Sequence, residues 1–286
     1  ESNGIFCDEG STDIALENNT IQGVTRSPVR FHKAGGVALK GNTFIVPRGT
    51  APLRFNNTPQ QAVTNDATRV AALLSGEVDM VYTVPPQDVE RIRRTAGYTI
   101  HQKAELRTIF LGFDQHRDQL LKSDVQGRNP FKDVRVRRAF AQAIDVEAIR
   151  SRVMRGQSRP SWLMVGPGIN GFDEDLDKAR PPVDVEAAKK LLADAGYPNG
   201  FGVTMDCPND RYVNDEAICQ AVTAMLARIG VRVTLNAQTR ARYFAEILGP
   251  GYNTSFYLLG WTPSTYDAHN ALFNLMATRR GSQGQF

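Results

Sequence analysis

The sequence predicts an α/β protein with a parallel sheet, preceded by a short β-rich segment. From residue 64 onward, helix-like and strand-like runs alternate, which is the pattern of α/β folds. Within this region, residues 199–235 contain a strand-like run, a polar turn, an amphipathic helix and a second strand-like run. Two strands joined by a packed crossover helix are expected to run parallel, with a right-handed connection.

The helix of this unit is predicted from apolar residues at a period of 3.6, which form one hydrophobic face. Those residues are Ile218, Val222, Met225, Leu226 and Ile229. Gly230 follows them, where a left-handed helix cap is least costly. The polar turn covers residues 207–212, and ligands of such units collect beyond the carboxyl ends of the strands. Its arginine, its tyrosine and the nearby helix N-terminus suit an anionic ligand, although any βα loop has a similar composition.

The remaining elements are assigned from the same periodicities and from cap and breaker residues. Predicted helices cover residues 66–76, 87–95, 133–144, 145–155, 184–196, 240–248 and 267–278. Predicted strands cover residues 78–83, 98–102, 106–113 and 255–259, followed by a turn at 260–263. Residues 114–129 lack periodicity and residues 159–182 are rich in Gly and Pro, so both are predicted to be irregular.

Residues 1–58 differ in texture from the rest of the chain. One phrase recurs, as LENNTI at 16–21, LKGNTF at 39–44 and LRFNNT at 53–58. The third copy follows the second at a shorter interval than the second follows the first. A period near twenty with an Asn-rich turn is typical of a parallel β-solenoid. The segment resembles the last coils of a right-handed parallel β-helix, the fold of many polysaccharide-active proteins. Three irregular copies also fit an ordinary β-meander, so both interpretations remain open.

The composition is that of a globular protein, with 41% hydrophobic and 22% charged residues. The net charge of +4 is mildly basic. Arginines cluster at 135–138 and 150–155, but acidic residues separate them and no aromatic residues are interleaved. We therefore expect a solvated helix face and no nucleic-acid partner. No apolar run is long enough to cross a bilayer as a helix, so no membrane span is expected. The absence of a signal peptide at Glu1 is interpreted as a mature form, a fragment or an intracellular protein.

The cysteines and histidines predict no metal site and no cofactor. Three cysteines and four scattered histidines form neither a zinc pattern nor an HExxH motif. Cys207 follows the first strand of the 199–235 unit, and Cys219 lies in the second turn of its helix. A disulfide between them is geometrically possible and would imply an oxidising compartment. Two separate buried thiols are the alternative, and the sequence leaves both open.

Five phrases in series resemble one family, the extracytoplasmic solute-binding proteins of ABC importers, in the peptide, nickel and opine branch (family 5). The phrases are DATRVAALLSGEVDMV, LRTIFLGFD, NPFKDVRVRRAFAQAID, DVEAAKKLLADAGYPNGF and LLGWTPSTYDAHN. They lie in the family's order between residues 65 and 286, whereas residues 1–58 do not match. The resemblance implies a two-lobed, periplasmic-binding-protein-like type II fold, which is incomplete here because members are longer than this chain.

The resemblance also implies a domain organisation and a biological setting. Residues 59–114 would belong to the first lobe, residues 115–130 would cross between lobes, and residues 131–286 would form the second lobe. Members capture a solute between the lobes and deliver it to the membrane permease of an ABC importer. We therefore expect a periplasmic or extracytoplasmic monomer that is not an enzyme. No GxSxG motif, supported Cys–His pair or P-loop is present to suggest catalysis.

The ligand-binding residues are taken from the same resemblance. In peptide-binding relatives, an arginine in the turn of the βαβ unit holds the ligand carboxylate, and an acid soon after Gly-Trp holds the amine. Arg211 matches the first role, since its planar fork can bind a carboxylate bidentately. At the second position the chain has Ser264, and the next acid is Asp267. The expected ligand is thus a small carboxylate-bearing solute, such as a peptide or opine, without a claim of peptide specificity. The full set of candidates is Asn209, Arg211, Tyr212, Trp261, Thr262, Ser264 and Asp267.

Three questions stay open at this point. Trp261 either stacks on the ligand or fills the core of the lobe, since both suit a large amphipathic ring. The alternative function is that of a polysaccharide-active or polysaccharide-binding protein, represented by residues 1–58. More than three stacked coils with a carboxylate-lined groove would favour it. A fragment without a formed site is the third possibility.

Overall fold

The computed structural model describes residues 5–7, 14–22, 28–32, 38–40, 43–45, 53–56, 66–248 and 252–277. The chain divides into two compact units, Glu1–Ile100 and His101–Phe286. The predicted segment boundary at residue 58 and the last residues, 278–286, lie outside the described part. The predicted lobe boundaries stay predictions.

Seven short strands in the first unit pair only in parallel among the described residues. They are β1 Ile5–Cys7, β2 Ala15–Glu17, β3 Thr20–Gln22, β4 Val29–His32, β5 Ala38–Lys40, β6 Thr43–Ile45 and β7 Leu53–Asn56. They form three ladders, in the orders β1-β4-β7, β2-β5 and β3-β6. Ile5 pairs with Val29 and Val29 with Leu53, so this ladder repeats at a constant interval along the chain. The pairing of Ala15 with Ala38 gives nearly the same interval in a second ladder.

This pairing is parallel, whereas the strands of a meander run antiparallel. The first two copies of the recurring phrase are in register, since Leu16 pairs with Leu39 and Ile21 with Phe44. The third copy does not continue the ladders of the first two, because β7 pairs with β4. Three described strands fall within one repeat interval, so similar phrases that are closer together than this interval can lie in different ladders. The described ladders hold at most three strands, and the resemblance to β-helix proteins stays a prediction.

A small apolar cluster lies between these ladders. Cys7 and Val29 are buried, and the partly buried side chains around them are Ile5, Ile14, Leu16 and Ile21. Cys7 is a free cysteine, and burial raises the pKa of its thiol because the thiolate is disfavoured there.

Two helices are described in the first unit, α1 Asp66–Leu74 and α2 Val89–Arg94. The strands predicted at 78–83 and 98–102 are wrong, because the structure has irregular chain in both places. Their apolar residues pack against the two helices instead of pairing in a sheet; the cluster contains Val70, Leu73, Ile92, Val78, Val81, Val84, Tyr98 and Ile100. Short apolar runs do not distinguish a strand from a packed loop.

The second unit is built on a four-stranded sheet in the order β10-β9-β11-β8. The strands are β8 Thr108–Phe113, β9 Gly202–Pro208, β10 Arg232–Gln238 and β11 Phe256–Trp261. β9 and β10 are parallel, which confirms the prediction for residues 199–235, and β11 is parallel to β9. β8 is antiparallel to β11, with Thr108 opposite Trp261. We call the edge where β9, β10 and β11 end and β8 begins the carboxyl edge.

Seven helices are described in this unit. They are α3 Val134–Ala143, α4 Val146–Ala148, α5 Glu174–Lys178, α6 Val185–Asp194, α7 Asp215–Ala227, α8 Arg240–Ile247 and α9 Ala268–Leu275. The helix predicted at 145–155 is shorter than expected, because after α4 the chain forms a π-helical turn over Ile149–Val153. The turn predicted at 260–263 begins later, because Gly260 and Trp261 pair with β8 and extend β11. No helix in the described ranges is long and apolar enough to cross a bilayer.

Alternating residues of β11 divide the core into two layers. Phe256 and Leu258 face one cluster, which also contains the buried side chains of α3, α6 and α7. Tyr257 and Leu259 face a second cluster with residues of α8 and α9. Helices therefore cover both faces of the sheet, and the carboxyl edge lies between the two helix layers. This is the α/β architecture that the alternation of helix and strand predicted.

Residues 114–129 contain no helix or strand, as predicted, but they are ordered by the sheet. Thr204 donates its backbone N–H to Lys122 O at 2.8 Å, along the first half of β9. The Lys122 ammonium bonds both oxygens of Asp206, at 2.9 and 3.0 Å, and also Glu246. Asp206 is fully buried, so this cation compensates a carboxylate in the middle of the sheet.

Candidate ligand-binding site

The turn after β9 is held by a disulfide between Cys207 and Cys219. The bond joins the end of β9 to the second turn of α7, with 6.6 Å between the two Cα atoms, and both residues are buried. Of the two interpretations left open by the sequence, the structure therefore has the disulfide and not two separate thiols. The bond closes the loop that carries Asn209, Arg211 and Tyr212.

A buried carboxylate organises the same turn from within. One oxygen of Asp215, the first residue of α7, accepts the backbone N–H groups of Arg211 and Tyr212 at 2.9 and 2.8 Å. Its other oxygen accepts the N–H of Glu216 at 3.0 Å. Asp215 is 3% exposed, and burial raises its pKa above the ordinary value because the charged form loses its hydration. These hydrogen bonds fix the backbone of Arg211 and do not involve its guanidinium group.

Tyr212 lies between the turn and β11. Its hydroxyl donates to Gly260 O at 3.4 Å, and burial raises the pKa of the phenol. The Arg211 guanidinium carbon lies 4.9 Å from the centroid of this ring, within the range of a cation–π contact. A Cβ atom on Gly260 would lie 2.7 Å from a ring carbon of Tyr212 and 2.6 Å from Ile109 Cδ1. The bare Gly260 backbone therefore permits Tyr212 to lie across β11.

A second arginine, Arg107, reaches this edge, and the sequence analysis missed it. Arg107 directly precedes β8, and its guanidinium carbon lies 5.7 Å from the Tyr212 ring centroid. Its Nε donates to Thr262 Oγ1 at 3.2 Å, and a terminal nitrogen lies 2.9 Å from Glu105 Oε1. The LRTIFLGFD phrase contains Arg107, but only the pairing of β8 with β11 places it next to Thr262.

The predicted residues Asn209 and Trp261 have defined structural contacts. Asn209 is exposed, and its backbone N–H donates to Gln238 O at 2.9 Å. The Trp261 indole N–H donates to Asn270 Oδ1 at 2.9 Å, and the ring packs on the cluster beneath α8 and α9. The observed contacts of Trp261 are those of a ring packed against the core of the unit. A ligand contact by Asn209 or by Trp261 stays a prediction.

Ser264 and Asp267 are engaged with their own neighbours. Asn270 Nδ2 donates to Ser264 Oγ at 3.3 Å. The Asp267 carboxylate accepts Asn170 Nδ2 at 2.7 Å and the backbone N–H of His269 at 2.8 Å, which caps α9. The bond from Asn170, followed by that from His269, holds the Asp267 pKa below its usual value. The role of amine partner predicted for Asp267 stays untested, but both carboxylate oxygens already have protein donors.

The arrangement at the carboxyl edge suits an anion better than a metal ion. Within the described ranges, no three His, Cys, Asp or Glu side chains are grouped as metal ligands. Two guanidinium groups, a tyrosine ring and the Thr262 hydroxyl converge there, and the buried Asp215 faces backbone N–H groups. The edge can therefore donate several hydrogen bonds to a carboxylate.

Comparison with known proteins identifies the family. The family model "Bacterial extracellular solute-binding proteins, family 5 Middle" matches residues 58–283. The chain therefore belongs to the bacterial extracellular solute-binding proteins of family 5, which confirms the resemblance read from its five phrases. Proteins of this family act outside the cytoplasm, so the predicted periplasmic or extracytoplasmic location is confirmed.

Individual relatives agree with this assignment. The glutathione-binding protein GsiB of Pectobacterium atrosepticum is 26% identical over 236 residues, covering 82% of this chain and 43% of the relative. The periplasmic binding protein DppA of Helicobacter pylori, in complex with the peptide STSA, superimposes with a TM-score of 0.63 at 24% identity, covering 78% of this chain and 40% of that one. The binding protein AgaA of A. tumefaciens R10, in complex with agropinic acid, gives a TM-score of 0.59 at 26% identity, covering 76% and 41%.

The chain spans less than half the length of these relatives, so the predicted type II fold is present and incomplete. The relatives give no support to the alternative of a polysaccharide-active β-helix protein.

Proposed function

We propose that this chain is the solute-binding component of an ABC importer and captures a small carboxylate-bearing solute at the carboxyl edge of its second unit. The observation that carries this proposal is the turn of Arg211. A disulfide and the buried Asp215 fix its backbone, while its guanidinium meets only the Tyr212 ring in the part of the chain that the structure describes. A preorganised guanidinium loses little conformational entropy when it binds a carboxylate.

Arg211 would bind the carboxylate with two parallel N–H···O bonds, the geometry that a guanidinium shares with this group. Tyr212 would limit the movement of the guanidinium through their cation–π contact. Asn209 and Thr262, exposed at the same edge, would contribute polar contacts that select the rest of the solute. Trp261, Ser264 and Asp267 would line the outer part of the proposed site and add little to affinity, because their polar groups are bonded to neighbouring residues.

Two relatives support a small solute that carries a carboxylate. GsiB is described as a glutathione-binding protein, and AgaA was solved in complex with agropinic acid. A peptide, an opine or a glutathione-like molecule is accordingly the class of solute proposed here. The proposed partner is the membrane permease of the importer. The protein would act as a monomer, without nucleic acid, cofactor or catalytic activity.

Calorimetry and thermal-shift measurements test the proposal with glutathione, dipeptides and agropinic acid. A ligand at 100 times its Kd should stabilise the parent protein by about 2.7 kcal/mol. The corresponding rise in Tm would be about 5–10 °C for a chain of this size. Arg211→Ala should weaken binding about 10- to 100-fold, because a charge-assisted hydrogen-bond pair is lost.

Arg228→Ala serves as the control, since Arg228 is an exposed arginine at the other end of α7. It removes the same charge and should leave affinity unchanged. A parent protein that responds to none of these solutes would contradict the proposed function. Equal responses from the parent and Arg211→Ala would remove Arg211 from the site.

A further inference from the structure

The carboxyl edge presents two guanidinium groups around one tyrosine. Arg107 and Arg211 lie 5.7 and 4.9 Å from the centroid of the Tyr212 ring. Their guanidinium carbons are therefore no farther apart than the sum of these two distances. Each guanidinium carries a permanent positive charge, and each can bind a carboxylate through its planar fork. One carboxylate on a solute uses only one of these two forks fully.

The acidic side chains nearby do not neutralise this pair. Asp215 is buried and faces the backbone N–H groups of its own turn. Asp210 accepts the backbone N–H of Arg240 at the start of α8. Glu105 pairs with Arg107, but its side chain is 57% exposed, and ion pairs at such exposure stabilise little. A ligand carboxylate can therefore compete with Glu105 for Arg107.

The Arg107 side chain is held in place by contacts that do not use all of its donors. Thr262 Oγ1 accepts the Nε–H, and Glu105 meets one terminal nitrogen. No partner of the other terminal nitrogen is found among the described residues. A Cβ atom on Gly260 would lie 3.0 Å from Arg107 Cδ, so the bare glycine that accommodates Tyr212 also accommodates Arg107. The absence of a side chain at Gly260 thus lets both Arg107 and the turn that carries Arg211 lie close to β11.

We propose that Arg107 is a second carboxylate-binding residue and that the solute class is a dicarboxylate, with its two carboxylates spaced as at a C-terminal glutamate. This inference rests on the proposed function and adds the substrate class to it. Arg211 takes one carboxylate, and Arg107, oriented by Thr262, takes the other. Two carboxylates at this spacing would reach two guanidinium groups that both lie within about 6 Å of one ring centroid.

Two dipeptides of nearly equal shape provide the test, Ala-Glu and Ala-Gln, measured by isothermal titration calorimetry. Their only difference is the second carboxylate. The parent protein should bind Ala-Glu about 10- to 100-fold more tightly than Ala-Gln, as expected for one additional charge-assisted pair. Arg107→Gln should abolish this preference by weakening Ala-Glu, with Ala-Gln changed less than about twofold. Arg211→Gln should weaken both dipeptides.

Two further variants separate the charge of Arg107 from its geometry and from folding. Arg107→Lys keeps the charge but loses the fork, so it should retain part of the preference for Ala-Glu. Arg228→Gln, at the far end of α7, should leave both affinities unchanged. Thermal unfolding of each variant without ligand checks that the second unit remains folded.

Each failure has its own signature. If Ala-Gln binds the parent as tightly as Ala-Glu and Arg211→Gln weakens both, the dicarboxylate class is excluded while the proposed function stands. An unchanged preference in Arg107→Gln would remove Arg107 from the site. Failure of both dipeptides, together with glutathione and agropinic acid, to bind the parent would overturn the proposed function and this inference with it.

Discussion

Two turns at the carboxyl edge, residues 209–214 after β9 and residues 262–267 after β11, use their polar groups in different ways. In the first turn, the buried Asp215 satisfies the backbone, and the Arg211 guanidinium is left with only a ring contact in the described part of the chain. In the second turn, Ser264 accepts a hydrogen bond from Asn270. Asp267 accepts hydrogen bonds from Asn170 and from the backbone N–H of His269 at the N-terminus of α9.

The comparison shows that a polar residue near a strand end is not by itself a ligand contact. What matters is which hydrogen-bonding groups the fold leaves over after its own turns and caps are satisfied. Asp215 uses its carboxylate on the backbone of the turn and not on the Arg211 guanidinium. Asp267 uses its carboxylate on the helix and on Asn170. The first turn is consequently the stronger candidate for recognition.

Asp215 and Asp267 are the carboxylates that order the first and the second turn. Replacing them should change stability and affinity by unequal amounts, and this is the largest difference we expect. Asp215→Ala leaves three part-buried backbone N–H groups without their acceptor, which should cost about 2–4 kcal/mol of unfolding free energy. It should also weaken solute binding at least tenfold, because Arg211 loses its fixed backbone. Asp267→Ala removes a helix cap, should destabilise the protein less than Asp215→Ala does, and should change affinity little.

Urea unfolding and calorimetry on the two variants give both quantities. Asp215→Asn is the conservative control, because its amide oxygen can still accept the N–H groups of Arg211 and Tyr212. It should recover part of the lost affinity. Equal affinity losses in Asp215→Ala and Asp267→Ala would contradict the distinction between the two turns.

Gly260 lies in β11, next to Tyr212 of the first turn. A methyl group at Gly260 should disturb the first turn more than the sheet. In Gly260→Ala, the added Cβ would lie within 3.0 Å of atoms of Ile109, Tyr212 and Arg107. These side chains must move, at a cost of about 1–3 kcal/mol of stability, and the affinity for a carboxylate should fall about tenfold.

Gly166→Ala is the matched control, because nothing lies within 4 Å of a Cβ at that glycine and its φ is not in the left-handed region. Its affinity and unfolding free energy should match those of the parent. A Gly260→Ala protein with unchanged affinity would show that the position of Tyr212 does not matter for binding.

The smallest expected effect is an opposite pH dependence of stability in the two turns. Burial raises the folded-state pKa of Asp215, so its contribution is present below its unfolded pKa and is lost as pH rises through the folded pKa. The pKa of Asp267 is lowered, so its contribution is present above its unfolded pKa and is lost as pH falls through the folded pKa.

Urea unfolding of the parent, Asp215→Asn and Asp267→Asn between pH 3 and 7 measures these slopes. The free-energy difference between the parent and Asp215→Asn should shift against the parent as pH rises. The difference between the parent and Asp267→Asn should shift in favour of the parent over the same range. If both free-energy differences changed in the same direction with pH, the predicted contrast between Asp215 and Asp267 would be wrong.

Local sequence signals predicted the elements that depend on near neighbours. The amphipathic helix between β9 and β10 was predicted because its apolar spacing is regular and Gly230 follows it; this glycine has φ +84° in the structure. The helix cap predicted at Asp184 was equally local, and its side chain accepts the backbone N–H of Ala187. The polar turn carrying Arg211 followed from the same unit.

Features that depend on distant pairing could not be predicted in this way. Arg107 joins the site only because β8 pairs with β11, and Arg107 and Thr262 are far apart in the sequence. The hydrogen bonding of Asp267 depends on Asn170, in a segment rich in Gly and Pro that was predicted to be irregular. The third copy of the N-terminal phrase resembled the first two in letters, but β7 pairs with β4 in a different ladder. No local rule reports such registers.

The indole of Trp261 gives the protein an optical reporter of the carboxyl edge. The chain contains two tryptophans, and Trp261 lies at the carboxyl edge with its N–H bonded to Asn270. The other, Trp162, is 40% exposed and is covered on one side by Arg180, in a different part of the unit. With Trp162→Phe, fluorescence emission would come from the edge alone, and binding could be followed in real time without a label.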